Sequence, residues 1–393
     1  MKRIEMKRLQ TTLLLLLLCL SIQCRPVQEE KPAYLFPRIG PVIYEEMEKG
    51  NFPGAVVLVG RGDDIAYWKA FGHKITDPCE EPMDKNTIFD MASVTKPVAT
   101  ATSILILVDR KAIGLDDVVR TYLPAFGCKG KEEARIKHLL AHTSGLPAYT
   151  NANKLKEEFG SPCPEKVIDK ICALEALSTP GEEFRYSCLS YITLGKIVEV
   201  VSGKSLDEFS KKNIFAPLGM KHTTFNPPDS REKDIAATEI IDGKPLRGTV
   251  HDPLARLMAG VSGNAGLFSN AHDLSIYCRM LLNGGTWKGK RILSPEAVRL
   301  LTTVQTHGRA YGFGVSASYS SAKGACASEK AFVHTGYTGT SIVCDPENET
   351  FLIILANRVH PKDDGSAKPV RTKVADIVFS SLSTSPAQNG GEI

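Results

Sequence analysis

Two groups of strand-like segments lie at opposite ends of the chain, and together they limit the folds open to it. Near the start, GAVVLVGRGDDIAYWKAFG (54–72) sets apolar runs on either side of Gly62, Asp63 and Asp64, the pattern of a β-hairpin. Near the end come KAFVHTG, TGTSIVCD, a Pro346-Glu347-Asn348 turn and TFLIILAN. From about Leu115 to Leu301 the pattern is mostly helical and broken by Gly/Pro loops, as in CPEKVIDKICALEAL and AHDLSIYCRMLLNGG. Strands at both ends with helices between them imply one sheet, completed by sequence-distant segments, with a helical insert beside it. The boundaries expected are a sheet part at 38–115 and 302–383 and a helical insert at 116–301. A last amphipathic helix is expected at 368–382, and the polar tail at 384–393 is expected to be disordered.

Composition narrows the function classes. Hydrophobic residues make up 42% and charged residues 23%, and the net charge is only +4, with Lys and Arg scattered. No basic stripe marks a nucleic-acid partner. The N-terminus is distinct. MKRIEMKRLQ is basic, and TTLLLLLLCLSI is an apolar run too short to span a bilayer, so 1–24 reads as an export signal and 25–37 as a leader. Cys24 stands where a bacterial lipoprotein carries its acylated cysteine, although Gln23 is larger than the residue such sites prefer. Lipid anchoring at Cys24, the one membrane contact expected, and simple cleavage both stand. Either places the mature chain in the periplasm or on the outer face of a bacterial envelope. None of the ten cysteines shows the spacing of a zinc site, and in an oxidising compartment some can pair.

FDMASVTKPVAT (89–100) places Ser93 and Lys96 one helical turn apart at the start of an apolar run. A serine hydroxyl is a poor nucleophile until a base removes its proton, and the lysine can reach it. To act as that base the lysine must be neutral. Bringing it from its ordinary ~10.4 down to about 7 takes nearly 5 kcal/mol, which burial and nearby positive charge can supply. The expected helix has Pro97 in its first turn and Gly114 just past its end. Its N-terminal N–H groups help to hold an oxyanion. Two more stretches fit such a site. TPGEEFRYSCLSYITLGKIVEVVSG sets Tyr186 in a loop before an apolar helix, and FVHTGYTGTSI sets His334, Thr335 and Gly336 on a strand.

With these motifs, together with LLAHTSGLP, IFAPLGMKHT and LGKIVEVVSGKSL, the chain resembles the serine β-lactamase and penicillin-binding protein superfamily across roughly residues 40–380. The branch is the one holding class C β-lactamases, DD-peptidases and related esterases. LRGTVHDPLARLMAGVSGNAGLFSNAHDL and LANRVHP are similar to a subgroup of exported hydrolases linked to cell-wall turnover. The resemblance implies an α/β (α+β) fold, an antiparallel sheet flanked by helices with a helical insert. It implies that Ser93 is acylated, Lys96 is its proton partner and Tyr186 shuttles a proton to the leaving group. His334, Thr335 and Gly336 fill the Lys-Thr-Gly strand motif, and the N–H groups of Ser93 and Tyr337 form the oxyanion hole. Neither metal nor organic cofactor is implied. The substrate class implied is peptidoglycan or its fragments, cut at D-Ala-D-Ala ends or at the lactyl–L-alanine amide. A small-ester hydrolase and a non-catalytic penicillin-binding sensor are the alternatives.

Two positions depart from the superfamily pattern. Cys188 stands where the Tyr-x-Asn loop motif has asparagine, and a thiol is a weaker donor than an amide. His334 replaces a lysine, and at an ordinary pKa of ~6.5 it carries charge for a substrate carboxylate only toward acid pH. Both argue against a dedicated β-lactamase. His142 reads as a loop brace; Asn264 stands where this subgroup often has histidine, and both a site-lining and a structural role stay open, the structural one favoured. His251 and Asp252 read equally as a brace or as substrate-facing groups.

Overall fold

Residue alternation in the terminal strands decides the layering. The computed structural model describes residues 36–316 and 320–383. The expected signal, nearly all of the leader, Cys24 and the tail lie outside the described residues. In chain order the strands that matter are β1 (Gly54–Arg61), β2 (Asp64–Ile75), β3 (Glu81–Pro82), β4 (Phe89–Asp90), β5 (Thr224–Phe225), β6 (Leu267–Ser269), β7 (Phe332–Thr335), β8 (Ser341–Asp345) and β9 (Thr350–Ala356). Six of them form one antiparallel sheet in the order β7-β8-β9-β1-β2-β3. Ala55 pairs with Ala356 and Arg61 with Thr350, so the first and last long strands meet at the centre of the sheet.

Both faces of that centre are apolar, because period-2 side chains alternate between them. Val57, Val59, Leu352 and Ile354 pack on Ile39 and Ile43 of α1 (Ile39–Glu48) and on Val374, Val378 and Phe379 of the last helix, Lys368–Ser383. Val56, Leu58, Ile353 and Leu355 join the larger core with Ile104 and Leu105 of α2 (Thr102–Asp109), Leu194 of α3 (Cys188–Ser202) and Tyr277 of α4 (Ala271–Leu282). Burying one Val, Leu or Ile is worth about 1.5–3 kcal/mol, so neither face can be left in water. The last helix is α5.

The segment 116–301 is rich in helices, and it also returns strands to the sheet side. β6 pairs with β4, directly before Ser93, and with β5. That small sheet connects the middle of the chain to the serine's turn.

The helix expected from Ser93 is shorter and less regular than its sequence implies. A 3-10 turn (Ala92–Val94) leads into a π turn (Lys96–Ala101) and only then into α2. The Pro97 carbonyl accepts the Thr102 backbone N–H of the π turn, and Thr102 Oγ1 (2.8 Å) and Tyr277 Oη (3.1 Å) donate to it as well. π turns of this kind are frequent at functional sites. The helix stops at Asp109, where Ala112 N–H bonds Leu107 O and Lys111 N–H bonds Val108 O. This is a Schellman closure with Lys111, at φ +57°, in the left-handed position, so Gly114 plays no part in it. The eight cysteines among the described residues are all free thiols.

Candidate active site

Lys96 organises the site from beneath. Its side chain is fully buried. Nζ donates to Ser93 Oγ at 2.9 Å, to Asn264 O at 3.0 Å and to Cys188 Sγ at 3.5 Å. With Tyr186 as a further hydrogen-bond partner, four acceptors share the three donors of the ammonium. Burial pushes the lysine pKa down most strongly, but Cys188, Tyr186 and Asp252 together outweigh it and hold the pKa above its ordinary value. The neighbours of Lys96 thus favour its charged form over the neutral lysine expected from the sequence. Asn264 enters the site through its backbone carbonyl, while its side-chain Oδ1 accepts from Ser262 Oγ at 2.7 Å.

The loop carrying Tyr186 is braced by His142. Arg185 N–H donates to His142 O (2.9 Å) and Ser187 N–H to His142 Nδ1 (3.1 Å). The imidazole packs on Tyr186 and Tyr191, with ring centroids 4.4 and 4.9 Å away. Burial, then Arg309 and Lys96, push its pKa well below the histidine range, so it stays neutral. His142 is a brace, as its place in the sequence implies. Ser187 Oγ accepts from Ser190 N–H at the start of α3, and α3 begins at Cys188 beside the lysine.

The turn after β7 is fastened to the serine's own turn. Thr338 Oγ1 donates to Asp90 O (2.7 Å) and Thr340 Oγ1 to Met91 O (3.0 Å). Gly336 lies so close that a Cβ would sit 2.5 Å from Met91 O, which excludes any side chain there. Ser93, Tyr186, His334, Thr335, Gly336 and Tyr337 consequently line one cleft of about 550 Å³, while Lys96 reaches both Ser93 and Cys188. Ser93, Lys96, Tyr186, Cys188 and the strand end after β7 are therefore brought together.

His334 differs from expectation in charge. Its side chain is buried and its Nδ1 lies 3.0 Å from Thr335 O. Burial, then Arg309 and Lys96, hold its pKa well below 6.5, so the imidazole is neutral throughout the neutral range. It cannot supply a charge to a substrate carboxylate there. The positive groups of the cleft are Lys368, Arg358 and Arg371. The ratio of kcat/KM for a carboxylate-bearing ester to that for a neutral ester is therefore expected to stay within about twofold from pH 6 to 7.5. A several-fold decline of that ratio over the same window would mean that His334 titrates there after all.

Several residues of the site were not legible as such. Asp90 is buried, and its carboxylate accepts Ala92 N–H (2.8 Å) and His251 N–H (2.6 Å). Burial raises its pKa against the pull of those two donors. It holds Ala92, at φ +44°, in the left-handed region next to the serine. An acid three residues before Ser93 in an otherwise apolar stretch was the available signal. Arg309 is fully buried and sends positive potential toward His142 and His334. Asp252 caps the short helix Pro253–Leu257 and accepts Tyr149 Oη at 3.1 Å, so it braces that turn.

A serine hydroxyl held by a buried lysine, with a tyrosine at the rim and a strand end alongside, is the equipment of an acyl-transferring serine hydrolase. The sequence profile of the Beta-lactamase family matches residues 41–376. The chain is 32% identical over 364 residues to an Escherichia coli (strain K12) protein provisionally named as a D-alanyl-D-alanine carboxypeptidase, covering 83% of each. It is 33% identical over 355 residues to a protein of the same name from Salmonella schwarzengrund (strain CVM19633), covering 81% of each. Among solved structures, a penicillin-binding protein homologue from Caulobacter crescentus superposes with a TM-score of 0.70 at 20% identity, over 87% of this chain and 96% of that one. The hydrolase EstCE1, described as having promiscuous acyltransferase activity, superposes with a TM-score of 0.70 at 24% identity, over 87% and 97%. The chain belongs to the β-lactamase family and is a serine hydrolase of that superfamily.

Proposed function

We propose that the protein is exported and hydrolyses amide bonds of peptidoglycan or muropeptides through an acyl-enzyme at Ser93. One observation carries this reading: the buried Lys96 ammonium stands 2.9 Å from Ser93 Oγ, at the floor of a cleft edged by Lys368 and Arg371. Export rests on the basic and apolar segment 1–24 alone.

In this account Ser93 Oγ attacks the scissile carbonyl carbon, and the N–H groups of Ser93 and Tyr337 receive the oxyanion. Lys96, already charged, cannot take the serine's proton. It stabilises the oxygen by a charge-assisted hydrogen bond. The Tyr186 phenol, hydrogen-bonded to Lys96, accepts the serine's proton as it gives its own to the leaving nitrogen. Water then enters, loses a proton through Tyr186 back to Ser93 Oγ, and releases the acid. A substrate that ends in a carboxylate meets Lys368 and Arg371, which favours a peptide terminus. The names of the E. coli and Salmonella relatives favour a D-Ala-D-Ala end over the lactyl–L-alanine amide.

Incubation with pentapeptide muropeptides, read by product mass, tests the reading. Loss of one alanine is the expected result. Release of the intact peptide from the lactyl group moves the cut to the other amide. Turnover of small esters with no muropeptide product overturns the proposal in favour of an esterase, and a stable adduct without turnover makes the protein a sensor.

A further inference from the structure

Tyr337 stands at the mouth of the cleft with 55% of its surface exposed, yet it is restrained on several sides. The His251 ring stacks on it with centroids 5.3 Å apart and planes 15° from parallel. The Arg358 guanidinium carbon lies 4.2 Å from the ring centroid. Tyr337 Oη donates to Asp363 Oδ2 at 2.6 Å, and Arg358 donates both to Tyr337 O (2.5 Å) and to Asp363 Oδ1 (2.7 Å). His251 is itself tied down, with Nδ1 2.5 Å from Glu239 Oε2 and its backbone N–H on Asp90 Oδ2 at 2.6 Å. The other Asp90 oxygen holds Ala92 N–H, next to the nucleophile. One line of contacts therefore runs from the serine's turn, through Asp90 and His251, to the Tyr337 ring.

We infer that His251 is a positioning residue for acyl transfer: anchored on Asp90 and stacked on Tyr337, it holds the Tyr337 backbone N–H where the Ser93 oxyanion forms. This rests on the proposed roles of Ser93 and of that N–H. Thr338, Thr340 and Arg358 tie the turn that carries this tyrosine, and the His251 stack fixes the ring, the side of the residue those bonds leave free. Losing an oxyanion-hole donor costs about 10²–10³ in kcat, and a displacement of about 1 Å costs about 10²-fold.

The stack is sensitive to charge. An imidazolium over an aromatic face is attracted more strongly than a neutral ring. The groups around His251 are the carboxylates of Glu239, Asp90, Asp252 and Asp363, with Arg358 beyond the tyrosine and Arg256 3.7 Å from Glu239. Burial pushes the His251 pKa down, but Glu239, Asp90 and Asp252 raise it further, so it ends above 6.5. The charged stack is complete below about pH 6.5 and weakens as pH rises through the raised value.

Steady-state kinetics of the full chain on a chromogenic neutral ester, from about pH 6 to 9, test the inference. His251→Ala is expected to lower kcat about 10²-fold while KM stays within about threefold. His251→Phe keeps a stacked ring, so it should recover most of kcat and lose the alkaline decline that wild type shows. Glu239→Gln leaves the stack in place and should move that decline to lower pH, which decides the matter if His251→Ala fails to fold. Wild-type kcat in folded His251→Ala, or an unmoved pH profile in Glu239→Gln, overturns the inference. Fluorophosphonate labelling of wild-type Ser93 separates the two levels. Its absence overturns the nucleophile and this inference with it, whereas labelled Ser93 with unchanged His251→Ala kinetics overturns the inference alone.

Discussion

Replacing Ser93 by alanine is expected to lower kcat on any ester or amide substrate by about 10⁴- to 10⁶-fold, with the fold intact. The size of the effect follows from the hydroxyl's place as the atom that bonds to the substrate. The stability change is expected to stay within about 1 kcal/mol. Ser93 is only partly buried, and Lys96 keeps Asn264 O and Cys188 Sγ as acceptors when the hydroxyl is gone. Thermal melting checks the second half of the expectation and steady-state turnover the first. A variant that retains more than about a tenth of wild-type kcat would show that the nucleophile is another group.

The second large effect belongs to Lys96→Met, expected to cost about 10²–10⁴ in kcat with a much smaller change in KM. The side chain touches the nucleophile from below and is fully buried, so it acts on the reacting atoms rather than on substrate capture. Methionine fills similar space without charge. Its stability effect is a balance between the unpartnered Asn264 carbonyl, about 1–3 kcal/mol unfavourable, and relief from burying an ammonium. The sign of the lysine's pKa shift adds a further expectation. Because the pKa is held above its ordinary value, the charged form persists through neutral pH. Wild-type kcat/KM on a neutral ester should therefore show no rise near pH 7 attributable to lysine deprotonation. Such a rise, present in wild type and absent from Lys96→Arg, would restore the neutral-base role.

The strands were legible because β1, β8 and β9 are continuous apolar runs bounded by turn residues, and their burial on both faces is what such runs require. Tyr186, at the loop before α3, and Lys368–Ser383, as a terminal helix, were legible for similar local reasons. The end of α2 was misread because Lys111 takes the left-handed position that glycine usually fills. The π turn at Lys96 left no mark in sequence, because Tyr277, one of the donors to the Pro97 carbonyl at its start, is distant in the chain. The charges of the site were the least legible part. Whether Lys96 is charged depends on Cys188, Tyr186 and Asp252, and whether His334 is neutral depends on Arg309. All of these lie far away in sequence and meet only after folding. Asp90 was hidden for the same reason, because its partner His251 comes from a segment that β6 helps to bring back to the serine's turn.

Substrate acyl groups are expected to pass through Ser93. The most direct test is mass spectrometry of the full chain, acid-quenched during turnover of a slowly hydrolysed ester or penicillin, followed by peptide mapping. One acyl group is expected, on the peptide that contains Ser93, and none in Ser93→Ala. An acyl group found instead on Cys188, whose sulfur shares Lys96 with the serine at 3.5 Å, would contradict that expectation.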